Sequence, residues 1–207
     1  MGVWRHFHRG SNFWILTLFG SGYAGLGVEN TAYSRAVGQR WMISTVARIF
    51  EPGVKADCCL ILEGEQGSGK SSALRTLAAP WFTDEIAELG SKDAALQSHG
   101  VWIIELAELD SMSRADVGRI KAFMSRSVDR FRPPYGKRLI ESPRQCVFAG
   151  SVNHSDYLRD ETGARRFWPV ECGASICHHV GMIATYSGAK RSRSTEKVGH
   201  GGWKPPH

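Results

Sequence analysis

The sequence predicts an α/β fold in which a mainly parallel central sheet is flanked by helices. Three observations predict it: short apolar runs at 57–64, 101–104 and 145–153, helical segments between these runs, and a glycine-rich turn after the first run. A continuous apolar run of strand length is typical of a strand buried on both faces. Strands that alternate with helices favour parallel pairing with right-handed crossovers. At 207 residues and 42% hydrophobic content, the chain is long enough for one domain with a sizeable core.

Periodicity, caps and breakers predict the helices. Apolar residues recur near helical spacing between Asn30 and Phe50, and Pro52 and Gly53 end that segment. Three more helices are predicted: from Lys70 to Pro80, from a Ser91 cap to Gln97, and from the capping box Ser113–Asp116 to about Ser127.

A turn is predicted between the last helix and the third apolar run. "FRPPYGK" (131–137) contains two prolines and a glycine, and the strand-like "RLIE" (138–141) follows it. We expect one domain at 29–172, a poorly assigned segment at 1–28, and a poorly ordered tail at 173–207, which is rich in Gly, His, Ser and basic residues.

The glycine-rich turn, "GEQGSGKS" from Gly64 to Ser71, fits the phosphate-binding pattern G-x-x-x-x-G-K-[ST]. Backbone N–H groups of such a loop surround phosphate oxygens, and the following helix directs its positive end at the same anion. Lys70 would reach the β and γ phosphates of ATP, and Ser71 would place its hydroxyl on Mg²⁺. A glycine-rich hairpin turn is the structural alternative. The candidate nucleotide-binding residues are Gly64, Glu65, Gln66, Gly67, Ser68, Gly69, Lys70, Ser71 and Ser72.

Two carboxylates follow the second apolar run. Glu105 ends "VWII", and Glu108 comes three residues later, so a helical turn would place both on one side. We assign Glu105, with Ser71, to the metal and Glu108 to the attacking water. The reverse assignment stays open, and a solvated helix start is the structural alternative.

Three further polar residues are candidates for catalysis. Asn153 ends the third apolar run, where its amide could hold the γ phosphate or the attacking water. Arg165 and Arg166 follow a glycine, where a guanidinium could stabilise transition-state charge on a neighbouring subunit's nucleotide. The alternatives are an asparagine that simply ends a strand and a salt-bridged arginine pair on the surface.

The charge of the chain is unevenly distributed. Its net charge is +6, and residues 111–144 alone contain nine Lys or Arg against three Asp or Glu. This density of basic residues suggests an anionic partner such as nucleic acid. A solvated helix face is the alternative.

The five cysteines form no CxxC pair, and three of them lie in apolar strand-like runs. This pattern favours buried reduced thiols and a cytoplasmic location. The apolar run from Phe13 to Phe19 is far shorter than the ~20 residues that span a bilayer, so we expect no membrane association. A secretory signal, with Arg5 and Arg9 before the run, is the alternative.

The motifs together resemble a known family. "GEQGSGKSSALRTL", "WFTDEI", "GVWIIELAELD", "KAFMSRSVDRFRPPYGK", "QCVFAGSVNH" and "GARRFWPV" closely resemble the virulence-associated E family of prophage and mobile-element proteins, related to superfamily 3 helicases. The resemblance covers roughly 23–172. It implies a P-loop, AAA+-like ATPase core, an oligomeric ring and a role in replicating element DNA. It also implies nucleotide and metal roles for Lys70 and Ser71, an acidic motif of Glu105 and Glu108, a sensor at Asn153, and an arginine finger at Arg165 or Arg166.

The resemblance also gives the basic segment a function. In related helicases a hairpin between the acidic motif and the sensor strand projects into the ring channel. The interval here contains Arg130, Arg132, Tyr135, Lys137 and Arg138, a mixture of cations and an aromatic that suits single-stranded DNA. A rigid structural turn is the alternative.

Three functions remain as hypotheses. The first is a DNA-dependent ATPase or helicase. The second is a P-loop kinase for a small molecule, since the same loop serves both. The third is a truncated remnant that binds nucleotide or DNA without turnover, because the first two dozen and last 35 residues do not resemble the family.

Overall fold

A computed structural model describes residues 27–86, 91–107, 109, 113–153 and 165–173. The described residues form four helices, α1 (Ala32–Phe50), α2 (Lys70–Ala78), α3 (Lys92–Gln97) and α4 (Arg114–Met124). They also form seven strands, β1 (Cys59–Glu63), β2 (Phe82–Thr83), β3 (Ile103–Leu106), β4 (Val128–Phe131), β5 (Ile140–Pro143), β6 (Val147–Val152) and β7 (Phe167–Glu171). The segments expected to be poorly assigned or poorly ordered fall almost wholly outside the described residues.

The central sheet has five strands in the order β2-β3-β6-β1-β7, and every neighbouring pair is parallel. Strands β4 and β5 form a separate antiparallel hairpin. The predicted α/β class with a mainly parallel sheet is therefore confirmed. Because the sheet strands all run in one direction, the carboxyl ends of β1, β3 and β6 lie at the same edge.

Two apolar clusters cover the two faces of the sheet. In β1, Leu60 and Leu62 belong to one cluster and Cys59 and Ile61 to the other, and all four are 0% exposed. Alternating side chains point to opposite faces of a strand. The uninterrupted apolar run predicted from the sequence thus reflects burial on both sides.

Helix α1 packs on one face of the sheet. It begins at a capping box in which the Thr31 and Ser34 side chains each accept a hydrogen bond from the other's backbone N–H. Trp41, 0% exposed, donates its indole N–H to the carbonyl of Phe148 in β6 at 2.9 Å. This bond satisfies the polar atom of a buried tryptophan and fixes the helix over the middle of the sheet.

Several predicted boundaries were wrong, including that of β5, which is Ile140–Pro143 and not 138–141. Strand β3 lies two residues later than expected, so Glu105 is inside the strand, paired with Ala149 of β6, and does not follow its end. Helix α4 ends at Met124 and not near Ser127, because the Ser127 carbonyl accepts a hydrogen bond from the Arg144 backbone at 2.9 Å as the hairpin begins.

The two ends of the described region meet beside β1. Val28 forms an antiparallel bridge with Cys172, and the Gly173 N–H donates to the Gly27 carbonyl at 3.0 Å. Within the described ranges, no helix has the length and apolar character needed to cross a membrane.

Candidate functional site

A strand, a loop and a helix form the centre of the candidate site. The loop leaves β1 at Gly64 and enters α2 at Lys70, with Gly69 as the helix N-cap at a φ of 92°. This φ lies in the left-handed region, which glycine adopts without strain. A Cβ at Gly64 would lie 2.9 Å from the carbonyl oxygen of Cys172, so the close approach of these two segments requires glycine.

Lys70 lies between the loop and the carboxyl end of β6, and it is 6% exposed. Its Nζ donates to the carbonyl oxygens of Gly64 and Glu65, each at 2.8 Å. The same Nζ lies 3.4 Å from Ser68 Oγ and 3.4 Å from Asn153 Oδ1. These four atoms are all oxygen acceptors, which suit an ammonium group because it can only donate hydrogen bonds.

Glu105 on β3 contacts the first turn of α2. Glu105 is 1% exposed, and its Oε1 accepts hydrogen bonds from Ser71 Oγ and Ser151 Oγ, each at 2.7 Å. The other oxygen, Oε2, is buried and has no hydrogen-bond partner among the residues that the structure describes. A buried carboxylate oxygen without a donor is costly, so Oε2 marks a position where a cation or donor would be stabilised.

Ser151 was missed by the sequence analysis. It lies on β6 opposite Leu62 of β1, and Asn153 follows two residues later at the carboxyl end of the strand. The two-residue spacing between Ser151 and Asn153 places both on one face of an extended chain. That spacing was the signal in "GSVN" that could have found Ser151.

The structure thus brings together residues from three elements. Lys70 and Ser71 come from α2, Glu105 from β3, and Ser151 and Asn153 from β6 and its end. The loop residues Glu65, Gln66 and Gly67, together with Ser71 and Ser72, are exposed, whereas Ser68 is buried. Glu108, the second predicted acid, lies outside the described residues.

The two candidate arginines lie away from this cluster. They precede β7, whose first residue, Phe167, pairs with Cys59 at the amino end of β1. Arg165 and Arg166 therefore lie near the amino ends of the strands, whereas the loop lies at their carboxyl ends. Arg166 Nε lies 3.4 Å from Asp57 Oδ2, with both side chains about one-fifth exposed, at 22% and 20%. Arg165 is exposed.

The five predicted DNA-contacting residues, four basic and one aromatic, lie on the β4–β5 hairpin and its turn, and all are exposed: Arg130, Arg132, Tyr135, Lys137 and Arg138. Arg130 pairs with Glu141 across the hairpin at 2.8 Å. The turn is closed by the Gly136 N–H, which donates to the Pro133 carbonyl at 2.9 Å. Tyr135 inside it is fully exposed and has a φ of 62°.

A buried ion pair joins the base of this hairpin to the domain. Arg144 contacts both oxygens of Asp129, at 2.5 and 2.7 Å, and their side chains are 1% and 3% exposed. Arg144 also donates to the Phe123 carbonyl at the end of α4, and Ser98 at the end of α3 donates to Asp129. The hairpin is thereby fixed to two helix ends.

Three of the described cysteines are buried, and all four have free thiols. Burial raises the pKa of Cys172 to about 12, although the nearby Lys70 charge opposes that shift. Burial likewise raises the pKa of Cys146 to about 11. The thiolate is the reactive form of cysteine, so neither group is suited to act as a nucleophile. Cys58, predicted to be buried, is only half-buried.

The donor set fits a magnesium-bound nucleotide. Mg²⁺ in phosphate-binding sites is held by one or two protein oxygens and by the phosphates, and here a hydroxyl, Ser71, and a carboxylate, Glu105, lie side by side at 2.7 Å. The unpartnered Oε2 of Glu105 is a further oxygen available to a cation. Among the described residues no cluster of three or more His, Cys, Asp or Glu could hold a metal.

The fold and site define an α/β protein whose first strand leads through a glycine-rich loop into a helix. The sequence profile of the virulence-associated protein E-like domain matches residues 12–189, and the chain belongs to this family. The match is wider than the 23–172 over which its motifs were recognised. No curated protein matches the chain.

Solved structures of the NrS-1 C-terminal region share this fold. One apo structure of residues 305–718 has 18% identity and a TM-score of 0.54, and covers 84% of this chain and 42% of that one. Another has 19% identity and a TM-score of 0.53, and covers 84% and 41%. The chain therefore spans less than half the length of these structures.

Proposed function

We propose that this chain is a P-loop ATPase that acts on the DNA of a prophage or mobile element during its replication. One observation carries the proposal: Lys70, Ser71, Glu105 and Asn153 converge where the loop meets the carboxyl ends of the central strands. Ligands of open α/β sheets bind at that edge.

The loop and its lysine bind the triphosphate in this proposal. Lys70 Nζ already lies among oxygen acceptors, and phosphate oxygens replace the carbonyls of Gly64 and Glu65 as its partners. The amino end of α2 directs its backbone N–H groups at the same anion. The remaining proposed contacts are Gln66, Gly67, Ser68, Gly69 and Ser72, whose position in the loop supports them.

Ser71 and Glu105 hold Mg²⁺ in this proposal, directly or through water. Their 2.7 Å separation supports assigning Glu105 to the metal, and the attacking water is left to Glu108. The bound metal supplies positive charge that offsets the charge developing on the phosphoryl oxygens. Asn153, whose Oδ1 is 3.4 Å from Lys70 Nζ, orients the γ phosphate or the attacking water.

The β4–β5 hairpin is the proposed DNA contact. Its basic side chains neutralise phosphates, and Tyr135 stacks on a base. The backbone of Tyr135 supports this role: its φ of 62° is the left-handed conformation that glycine or asparagine normally supplies at this turn position. A bulky residue costs about 1 kcal/mol or more there, so its side chain has a use that offsets the strain.

Arg165 or Arg166 serves a neighbouring subunit in this proposal. Both lie at the sheet edge opposite their own loop, which supports action in trans within an oligomeric ring and argues against action in cis. Arg165 is exposed, whereas Arg166 is near Asp57. Arg165 is therefore the better placed of the two to reach another chain.

The test is ATP hydrolysis with and without single-stranded DNA. We expect Mg²⁺-dependent hydrolysis that rises with DNA and disappears in Lys70→Ala. Lys55→Ala is the control, because Lys55 has a 77% exposed side chain and lies outside the site. Hydrolysis that Lys70→Ala retains would contradict the proposal. Nucleotide binding without turnover would support a remnant, and DNA-independent phosphate transfer to a metabolite would support a kinase.

A further inference from the structure

The carboxylate of Glu105 is held by two hydroxyls from different elements. Ser71 Oγ and Ser151 Oγ both lie 2.7 Å from the same oxygen, Oε1, and the hydroxyl oxygens are 3.5 Å apart. In the proposed function Ser71 and Glu105 hold Mg²⁺, but Ser151 has no role. Its hydroxyl is nonetheless as close to the carboxylate as that of Ser71.

The two serines differ in what fixes them. Ser71 is an exposed residue in the first turn of α2, directly after Lys70. Ser151 is on β6, which pairs on both sides with β1 and β3 and is the middle strand of the sheet. The Ser151 hydroxyl therefore projects from a strand that is paired with β1 at Ser151 itself and with β3 up to Gly150, and not from a helix end.

A hydroxyl has one proton to donate. A lone pair of the Ser71 oxygen would hold a cation and leave its proton directed at Oε1, and Ser151 donates to the same oxygen from a second element. Oε1 then stays fixed, and Oε2, which has no partner among the described residues, is the carboxylate oxygen left for the cation.

We propose that Ser151 is a positioning residue that orients Glu105 for Mg²⁺ binding. The inference rests on the proposed function, since it requires that Ser71 and Glu105 hold the metal. Partners that orient a ligating carboxylate typically change metal affinity by about 10- to 100-fold when they are removed. A purely structural serine would change folding stability and leave the metal affinity unaltered.

The experiment measures the affinity of Mg²⁺ for the complex with a non-hydrolysable ATP analogue, and separately the affinity of the analogue in EDTA. We expect Ser151→Ala to weaken Mg²⁺ binding roughly 10-fold or more while its affinity in EDTA stays that of the wild type. Ser44→Ala is the control, because the Ser44 hydroxyl bonds only to the Trp41 carbonyl of its own helix among the described residues, and it should change neither affinity.

Ser151→Thr and Ser151→Val keep the test decisive if the alanine variant does not fold. These side chains have the same shape and differ in the hydroxyl, so we expect Thr to retain Mg²⁺ affinity and Val to lose it. Equal Mg²⁺ affinity in the Thr and Val variants would overturn the proposed role of Ser151 but would leave the proposed metal site standing. A wild type whose analogue binding is indifferent to Mg²⁺ would overturn the proposed metal site as well.

Discussion

Gly64 shows how single residues of the loop are constrained by packing as well as by ligand chemistry. It follows β1 directly, and its Cα faces the backbone of Cys172, whose N–H donates to the Glu63 carbonyl at 2.7 Å. The bridge between Val28 and Cys172 fixes that second segment. A glycine that a phosphate-binding motif requires is thus also the point where the start and end of the described region pack on the loop.

Gly64→Ala should therefore destabilise the fold. Its Cβ would lie 2.9 Å from the Cys172 carbonyl, and relieving that contact requires backbone movement, at a cost of about 1 to 3 kcal/mol. Urea unfolding measures the loss. Gly118→Ala is the control, because a Cβ at Gly118 in α4 meets nothing within 4 Å, and alanine should gain about 0.5 to 1 kcal/mol there. A Gly64→Ala variant as stable as the wild type would contradict this account of the loop.

Among the secondary-structure elements, the strands that are buried on both faces were predicted best from the sequence. The runs containing β1 and β6 are apolar because both faces of these strands are covered. Strand β4 was missed because its pattern "VDRF" places an aspartate at a buried position, where Arg144 neutralises it. Strand β7 was missed because Pro169 reads as a strand breaker, and it is tolerated since β7 is at the edge of the sheet.

Part of the candidate site could also be predicted from the sequence. Lys70, Ser71, Glu105 and Asn153 carry motif positions, and the structure places them near one another. Ser151 was missed because its only signal is the two-residue spacing from Asn153, and its partner Glu105 is apparent only after the strands are paired. The turn at 131–137 was predicted from its prolines and glycine and the hairpin from the family resemblance, whereas the ion pair at the base of the hairpin was not predicted.

The buried pair of Asp129 and Arg144 should contribute far more to folding stability than the exposed pair of Arg130 and Glu141 on the same hairpin. Asp129→Asn leaves Arg144 buried without its charge partner, and breaking such a pair costs about 3 to 5 kcal/mol. Glu141→Gln removes the exposed pair with Arg130, which should cost less than about 1 kcal/mol. Thermal or urea unfolding measures the stability of the two variants, and a similar loss of stability in both would contradict the structural role given to Asp129.

The hairpin turn gives a sharper test of DNA contact. Tyr135→Gly relieves the left-handed backbone, so stability should be unchanged or higher, while affinity for single-stranded DNA should fall by about 1 to 3 kcal/mol if the ring stacks on a base. Fluorescence anisotropy with a labelled oligonucleotide measures it. Tyr135→Phe keeps the ring and should bind as the wild type does. If the glycine variant binds single-stranded DNA as tightly as the wild type, stacking by Tyr135 is contradicted and only the basic side chains remain as proposed DNA contacts.

At the scale of the whole molecule, the loop and Arg165 lie at opposite edges of one sheet. In the proposed function an arginine in that position would act on the nucleotide of another chain, within an oligomer that has a head-to-tail interface. A ring provides that interface at every subunit.

Mixing two inactive variants tests this arrangement. Lys70→Ala removes the nucleotide contact and Arg165→Ala the proposed finger, so each alone should lack hydrolysis. Mixed oligomers place an intact loop beside an intact arginine in part of their interfaces, and hydrolysis should reappear. Arg35→Ala, which changes an exposed arginine at the start of α1 that bonds to Asn30, is the control and should be active alone. Mixtures as inactive as their components would exclude action of Arg165 in trans.

The central claim is that Lys70 and its loop bind a triphosphate, and calorimetric titration of a non-hydrolysable ATP analogue with Mg²⁺ tests it most directly. We expect saturable binding at one site per chain, weakened roughly 10- to 100-fold in Lys70→Ala, since a hydrogen bond to a charged group contributes about 1.5 to 3 kcal/mol. Equal affinity of the wild type and Lys70→Ala, or no binding by the wild type, would contradict the claim.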